Sequence, residues 1–254
     1  MAKPILVANW KNHPGSLTLA KALLREMAKD SRFYRNLSLF IAPPYPYFES
    51  VSERLGNFGR LAAQNISSLP PGNYTGQVTP DILKSFGVRL AILGHSECRG
   101  LGETSEHVAK KVKTALRLGI VPLVCVGELS QDEDGEHFEF LRDELKLSLA
   151  GLNREMVLSR LTVAYEPVWA IGKQARDAMV SADLSQTVLF IKKVLTDMFG
   201  RVAAEHISIL YGGSVEPTNA ERLLSETGIK GFLVGHASLN AKSLRDIAES
   251  LVKK

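Results

Sequence analysis

Short, almost wholly apolar runs alternate along this chain with longer stretches in which apolar residues return every three or four positions. The runs at 5–8, 37–42, 59–63, 90–93, 121–126, 161–165, 207–211 and 231–234 predict β-strands. Most lack the polar alternation of a half-solvated sheet, so they predict strands buried on both faces, as parallel strands are. Segments 17–29, 104–118, 137–150, 184–199 and 243–253 carry helical period between them. Asp, Ser and Thr start signals recur, and Gly87, Gly119, Gly200 and Gly228 supply stop signals. Eight such β-α units predict an α/β protein with a single (β/α)8 barrel over residues 1–254, although an open doubly wound sheet would give a similar local pattern. No linker, low-complexity tract or close repeat divides the chain.

Composition narrows the function classes. Hydrophobic residues make up 45% of 254, enough for a sizeable core, and no 18-residue apolar run could span a bilayer. The apolar stretch after Met1-Ala-Lys-Pro gives way too soon to Trp10-Lys11-Asn12 to be a secretory signal, so a cytoplasmic location is expected. Cys98 and Cys125 fit no metal or redox spacing, which suits reduced thiols and no metal site. A formal charge of +4 suits a small anionic substrate but is too modest and dispersed for nucleic acid.

In a barrel of this kind, chemistry gathers where strands end and βα loops begin. The sixth predicted strand delivers Glu166 into a loop stiffened by Pro167, with Val168 and Trp169 able to exclude water, as a general base requires. A lone glutamate there could equally be solvated and idle. After the first strand, Asn9-Trp10-Lys11 brings an ammonium to the mouth, where it could meet a phosphate or a developing enolate, or simply solvent. After the fourth comes Gly94-His95-Ser96-Glu97, with Ser96 as a candidate cap for a following helix or turn. A helix N-terminus there would keep the imidazole neutral and able to donate one hydrogen bond; the plainer alternative is a histidine satisfied by nearby backbone. Tyr211-Gly212-Gly213-Ser214 and Gly235-His236-Ala237-Ser238 could turn backbone amides toward an anion, although glycine turns are common at strand ends.

Taken in order, Asn9-Trp10-Lys11, Ala63-Gln64-Asn65, Thr75-Gly76, Gly94-His95-Ser96-Glu97, Cys125-Val126-Gly127-Glu128, 165–172, Tyr211-Gly212-Gly213-Ser214 and 235–239 resemble the triosephosphate isomerase family from end to end. The resemblance implies a (β/α)8 homodimer without cofactor that interconverts dihydroxyacetone phosphate and D-glyceraldehyde 3-phosphate through an enediolate, in glycolysis and gluconeogenesis. It implies Glu166 as base, His95 as neutral electrophile, Lys11 and Asn9 on the substrate oxygens, and Glu97 in support. It further implies a phosphate held by amides of Gly172, Ser214, Gly235 and His236.

The chain departs from the family pattern in places. Lys173 and Arg176 enter the lid after Gly172, where the family's second glycine is lost, and Lys173 becomes a candidate phosphate ligand. His236 replaces a phosphate-loop glycine, which raises the question of its φ. Gln77 and Cys98 replace together a Glu and an Arg that are expected to pair near the dimer contact, and Asn12-His13 replaces the usual Met-Asn. An isomerase of four-carbon sugar phosphates needs the same acid-base set in a roomier pocket. A non-catalytic phosphosugar-binding barrel would have no reason to hold these side chains at the ends of separate strands.

Overall fold

The computed structural model describes residues 3–131, 135–158, 160–170 and 179–252. Strands β1 (Ile5–Asn9), β2 (Ser38–Ala42), β3 (Arg60–Ala63), β4 (Leu90–Leu93), β5 (Val121–Val126), β6 (Thr162–Tyr165), β7 (Ser208–Tyr211) and β8 (Gly231–Val234) follow one another round a closed barrel. Every neighbouring pair is parallel, and β1 seals the ring against β8 through Ile5–Gly231 to Ala8–Val234. The open-sheet alternative is thereby removed.

The near-continuous apolarity of the strands follows from two cores. Inside the ring lie Val7, Phe40, Ala62, Leu90, Ile92, Leu123, Cys125, Ala164, Leu210 and Leu233. Their strand neighbours, such as Leu6, Ala8, Ala91, Val124 and Val163, face the helices instead. Because side chains alternate across a strand, each strand needs an apolar residue at both parities.

The outer layer is built from α1 (Leu17–Lys29), α2 (Phe48–Leu55), α3 (Pro80–Ser85), α4 (Ser96–Gly100), α5 (Ser105–Arg117), α6 (Glu136–Ser148), α7 (Arg154–Leu158), α8 (Ser181–Phe199), α9 (Arg201–His206), α10 (Ala220–Thr227) and α11 (Ala241–Val252). Ser16 caps α1 by accepting from the Leu19 amide, and Thr104 caps α5 by accepting from His107. Gly228 takes a left-handed φ of 75° just past α10, a conformation that costs a side chain-bearing residue more. Predicted boundaries hold to within a few residues. The pattern left 48–55, 80–85, 201–206 and 220–227 unassigned, because helices of six to eight residues show too few turns for a period to emerge. Among the described residues no helix is long and apolar enough to cross a membrane.

Candidate active site

The alternation that fills the ring also aims the polar residues at its mouth. Val7 points inward, so Asn9, two residues on, does too; Ala164 likewise places Glu166, Leu210 places Gly212, and Leu233 places Gly235. These residues meet at a cavity of about 350 Å³ lined by Asn9, Lys11, His95, Glu166, Ser214 and His236, among others. A larger cavity of about 940 Å³ opens at the opposite end, near Lys3, Ile207 and Ile229, but none of its ionisable groups is buried.

Glu166 stands between two glycines. Register pairs Val126 with Tyr165 and Tyr165 with Tyr211, so Gly127 and Gly212 flank it on the neighbouring strands. A methyl on Gly127 would overlap the Glu166 carbonyl, and one on Gly212 would come within 2.7 Å of its Cγ. With that room the carboxylate is 2% exposed. Its Oε2 accepts the Ser96 amide at 3.2 Å, while its Oε1 is buried without a hydrogen-bond partner. Burial raises the Glu166 pKa above the ordinary value, against opposing pulls from His95, the Ser96 amide, Cys125 and Lys11. An uncommitted, desolvated carboxylate oxygen is a proton acceptor with little to lose by accepting.

His95, also buried, is itself the N-cap of α4: its Nδ1 accepts the Glu97 amide at 3.2 Å. This corrects the expectation that Ser96 would cap. Ser96 is the first helical residue and gives its amide to Glu166 instead. Because Nδ1 is occupied as an acceptor, the neutral ring carries its proton on Nε2, which stands 3.3 Å from Glu166 Oε1.

Lys11 has a left-handed φ of 51°, unusual for a residue with a side chain. Two side chains hold it there. Asn9 Oδ1 accepts the Lys11 amide at 3.0 Å, and Gln64 Nε2 donates to the Lys11 carbonyl at 2.7 Å and to that of Ala42 at 2.9 Å. The ammonium meets Glu97 Oε1 at 2.7 Å, with Glu97 itself more than half exposed. Across the β1–β8 seam Gly235 leaves just enough space for the Lys11 stem, whose Cε would lie 3.4 Å from an added methyl.

In the seventh loop, Asn219 ties Ser214 to Glu216 through a bond to the Ser214 carbonyl at 3.0 Å and one from the Glu216 amide at 2.9 Å. After β8, His236 opens a 3₁₀ turn, His236–Leu239, whose first amides have no partner within the turn. Among the described residues only Lys11 is a non-glycine with positive φ, so the His236 side chain imposes no left-handed strain. Gly172, Lys173 and Arg176 lie outside the described residues.

The structure therefore gathers Asn9, Lys11, His95, Glu97, Glu166, Ser214, Gly235 and His236 from the ends of five strands, β1, β4, β6, β7 and β8. Sequence reasoning assigned no role to Gln64 or to Glu128. Buried Glu128 accepts from the Tyr165 hydroxyl and the Trp169 indole, each at 2.7 Å, and anchors the chain just beyond Glu166. Both stand in polar groups at strand ends, Gln64-Asn65 and Gly127-Glu128, a signal that could have singled them out. The assembled set can take a proton next to a carbonyl, at Glu166, while an N–H and an ammonium stabilise the oxygen that gains charge.

A sequence model of the family described as triosephosphate isomerase matches residues 4–251. Among curated proteins, a triosephosphate isomerase of Citrifermentans bemidjiense is 40% identical over 97% of this chain and 98% of its own length. Proteins of the same name from Carboxydothermus hydrogenoformans and Dehalococcoides mccartyi are 36% and 38% identical, covering 99% and 97% of this chain and 100% and 96% of theirs.

Proposed function

The chain belongs to the triosephosphate isomerase family, and from that premise we propose how its residues carry out the reaction. The enzyme interconverts dihydroxyacetone phosphate and D-glyceraldehyde 3-phosphate, a step of glycolysis and gluconeogenesis. Glu166 removes a proton from the carbon next to the carbonyl and returns it to the adjacent carbon. The His95 Nε2–H donates to the oxygen that becomes negative in the enediolate, and Lys11 adds a positive charge beside it. Asn9 orients the same oxygens and holds the Lys11 turn; Glu97 positions the ammonium. Amides of Gly172, Ser214, Gly235 and His236 receive the phosphate, and Lys173 is proposed as an added cation on sequence grounds alone.

The single observation that carries this assignment is the buried Glu166 Oε1, without a hydrogen-bond partner and 3.3 Å from His95 Nε2. A base already saturated by hydrogen bonds would have to break one to act. A coupled assay with the two triose phosphates and a four-carbon ketose phosphate tests the reading. Turnover of the trioses about 100-fold or more above that of the larger sugar is expected; faster turnover of the larger sugar would move the specificity to the four-carbon substrate, and equal turnover would mean the pocket selects neither.

The proposal extends to assembly and location. The stretch 69–77 is exposed throughout and presents Leu69 and Tyr74 to solvent at 37% and 43%. Apolar side chains on a protruding loop favour burial against a second copy, so a homodimer is proposed. Asn65 reaches Cys98 Sγ at 3.8 Å, so the thiol has a partner within its own chain, and no charge is stranded by the absent Glu–Arg pair. A cytoplasmic location fits the two free thiols.

A further inference from the structure

Behind the acid-base pair lies a largely buried ion pair, neither member of which lines the cavity. Arg99, on α4, and Glu144, on α6, meet at 3.2 Å with side chains 17% and 8% exposed. Arg99 Nε donates to the Gly94 carbonyl at 2.8 Å, and its Nη2 to the Cys125 carbonyl at 3.2 Å and Ser148 Oγ at 3.0 Å; Nη1 reaches Ser105 Oγ at 3.0 Å. Glu144 Oε2 accepts the Gly127 amide at 2.8 Å. One guanidinium thus grips the residue before His95 and the end of β5, while its carboxylate partner grips the glycine pressed against Glu166.

We propose that Arg99 and Glu144 are positioning residues, a clamp that fixes the separation of His95 from Glu166. The inference rests on Glu166 and His95 being the base and electrophile proposed above. Two glycines mark the clamp as spatially exacting: a methyl on Gly94 would come within 2.8 Å of Arg99 Nη2, and one on Gly127 would overlap the Glu166 carbonyl. A buried pair of charges is seldom a gain in stability over apolar residues of similar volume. Its geometric specificity, a planar fork with one donor on the Gly94 carbonyl and another on that of Cys125 while Ser105 and Ser148 take the rest, is what apolar packing could not reproduce. Burial raises the Glu144 pKa while Arg99 opposes the rise, so the carboxylate depends on its partner to stay ionised. The phosphate loops after β7 and β8 receive none of these bonds.

The last point separates the clamp from a merely structural pair. Arg99→Lys, which keeps the charge and loses the fork, should lower kcat about 10–100-fold, as expected when a catalytic group is displaced by up to roughly 1 Å. KM and competitive inhibition by inorganic phosphate should stay within about threefold. The acid limb of kcat should move to lower pH as water reaches Glu166 and its raised pKa relaxes. The double variant Arg99→Met/Glu144→Met, which leaves no unpaired charge, should recover the melting temperature lost by either single change but not the turnover. A folded double variant or Arg99→Lys enzyme with kcat per active site within about twofold of the parent, and an unmoved acid limb, would overturn the clamp. Should the double variant not fold, Arg99→Lys assayed well below its melting temperature decides alone. Glu166→Gln run alongside separates the two failures: parent-like turnover there removes the functional reading, whereas an inactive Glu166→Gln beside an unaffected Arg99→Lys removes only the clamp.

Discussion

His95 Nε2 and Glu166 Oε1 stand 3.3 Å apart without forming a hydrogen bond, although both atoms belong to buried side chains. The donor is fixed from behind by the Glu97 amide on Nδ1, and the acceptor from its other oxygen by the Ser96 amide. Each group is held by backbone of the same short helix and keeps its reactive atom for something else.

Replacing Glu166 by Gln should lower turnover of the triose phosphates by at least about 10²–10⁴-fold, since the amide cannot accept the proton. Affinity for a phosphate-bearing intermediate analogue should fall much less. Steady-state kinetics and calorimetric titration read the two effects separately, and a loss of turnover smaller than about tenfold would move the base elsewhere.

The same substitution should make the protein more stable at neutral pH. Burial raises the Glu166 pKa above 4.5. Between that ordinary value and the raised one, the folded chain holds a proton that the unfolded chain has lost, so stability falls as pH rises through the window. Glutamine removes this slope while still accepting the Ser96 amide. Glu166→Gln should therefore melt higher than the parent at pH 8, by about 2–4 °C for each kcal/mol relieved, with the advantage gone below about pH 4. Melting curves across pH check the trend; a variant that melts lower at pH 8 contradicts it.

Nitrogen NMR of His95 should report the tautomer with the proton on Nε2. A proton found on Nδ1 in the neutral ring would be incompatible with the Glu97 amide bond, and with it the assignment of His95 as donor to the substrate oxygen.

Gly212→Ala sets a methyl 2.7 Å from Glu166 Cγ without requiring a forbidden φ. The side chain must move, and a displacement of roughly 1 Å can cost about 10²-fold in rate. Lower kcat with nearly unchanged melting temperature is expected; unaltered kcat would mean the base has more latitude than its flanking glycines suggest.

Light scattering at micromolar concentration should give a homodimer. Glycine replacements at Leu69 and Tyr74 should shift it toward monomer, because they remove the apolar tip of the protruding loop. A parent protein that is monomeric at that concentration would reject the assembly.

Much of this architecture is legible in the sequence for a physical reason: a strand buried between two cores must be apolar at both parities, so 90–93, 121–126 and 231–234 announce themselves to the residue. The site residues are legible too, because the same alternation carries Asn9 and Glu166 inward one step beyond the apolar run. What stays hidden depends on partners far along the chain. Gln64 holds Lys11 across 53 positions, and Glu128 holds Trp169 across 41. No local period encodes which side of a ring His95 offers to a neighbouring amide, so the reading that gave the cap to Ser96 mistook the residue while finding the right turn.

The seam between β1 and β8 has a consequence for synthesis. A chain emerging from the ribosome exposes Lys11 early, then the imidazole, then the glutamate, but the glycine against which the Lys11 stem rests belongs to the final strand-loop unit. Until that unit docks, the first loop lacks the wall that confines its ammonium, however well the preceding units have folded. The site of every nascent intermediate is thus short of one wall, and in a cell-free translation reaction the onset of turnover is expected to timestamp the moment the ring is sealed.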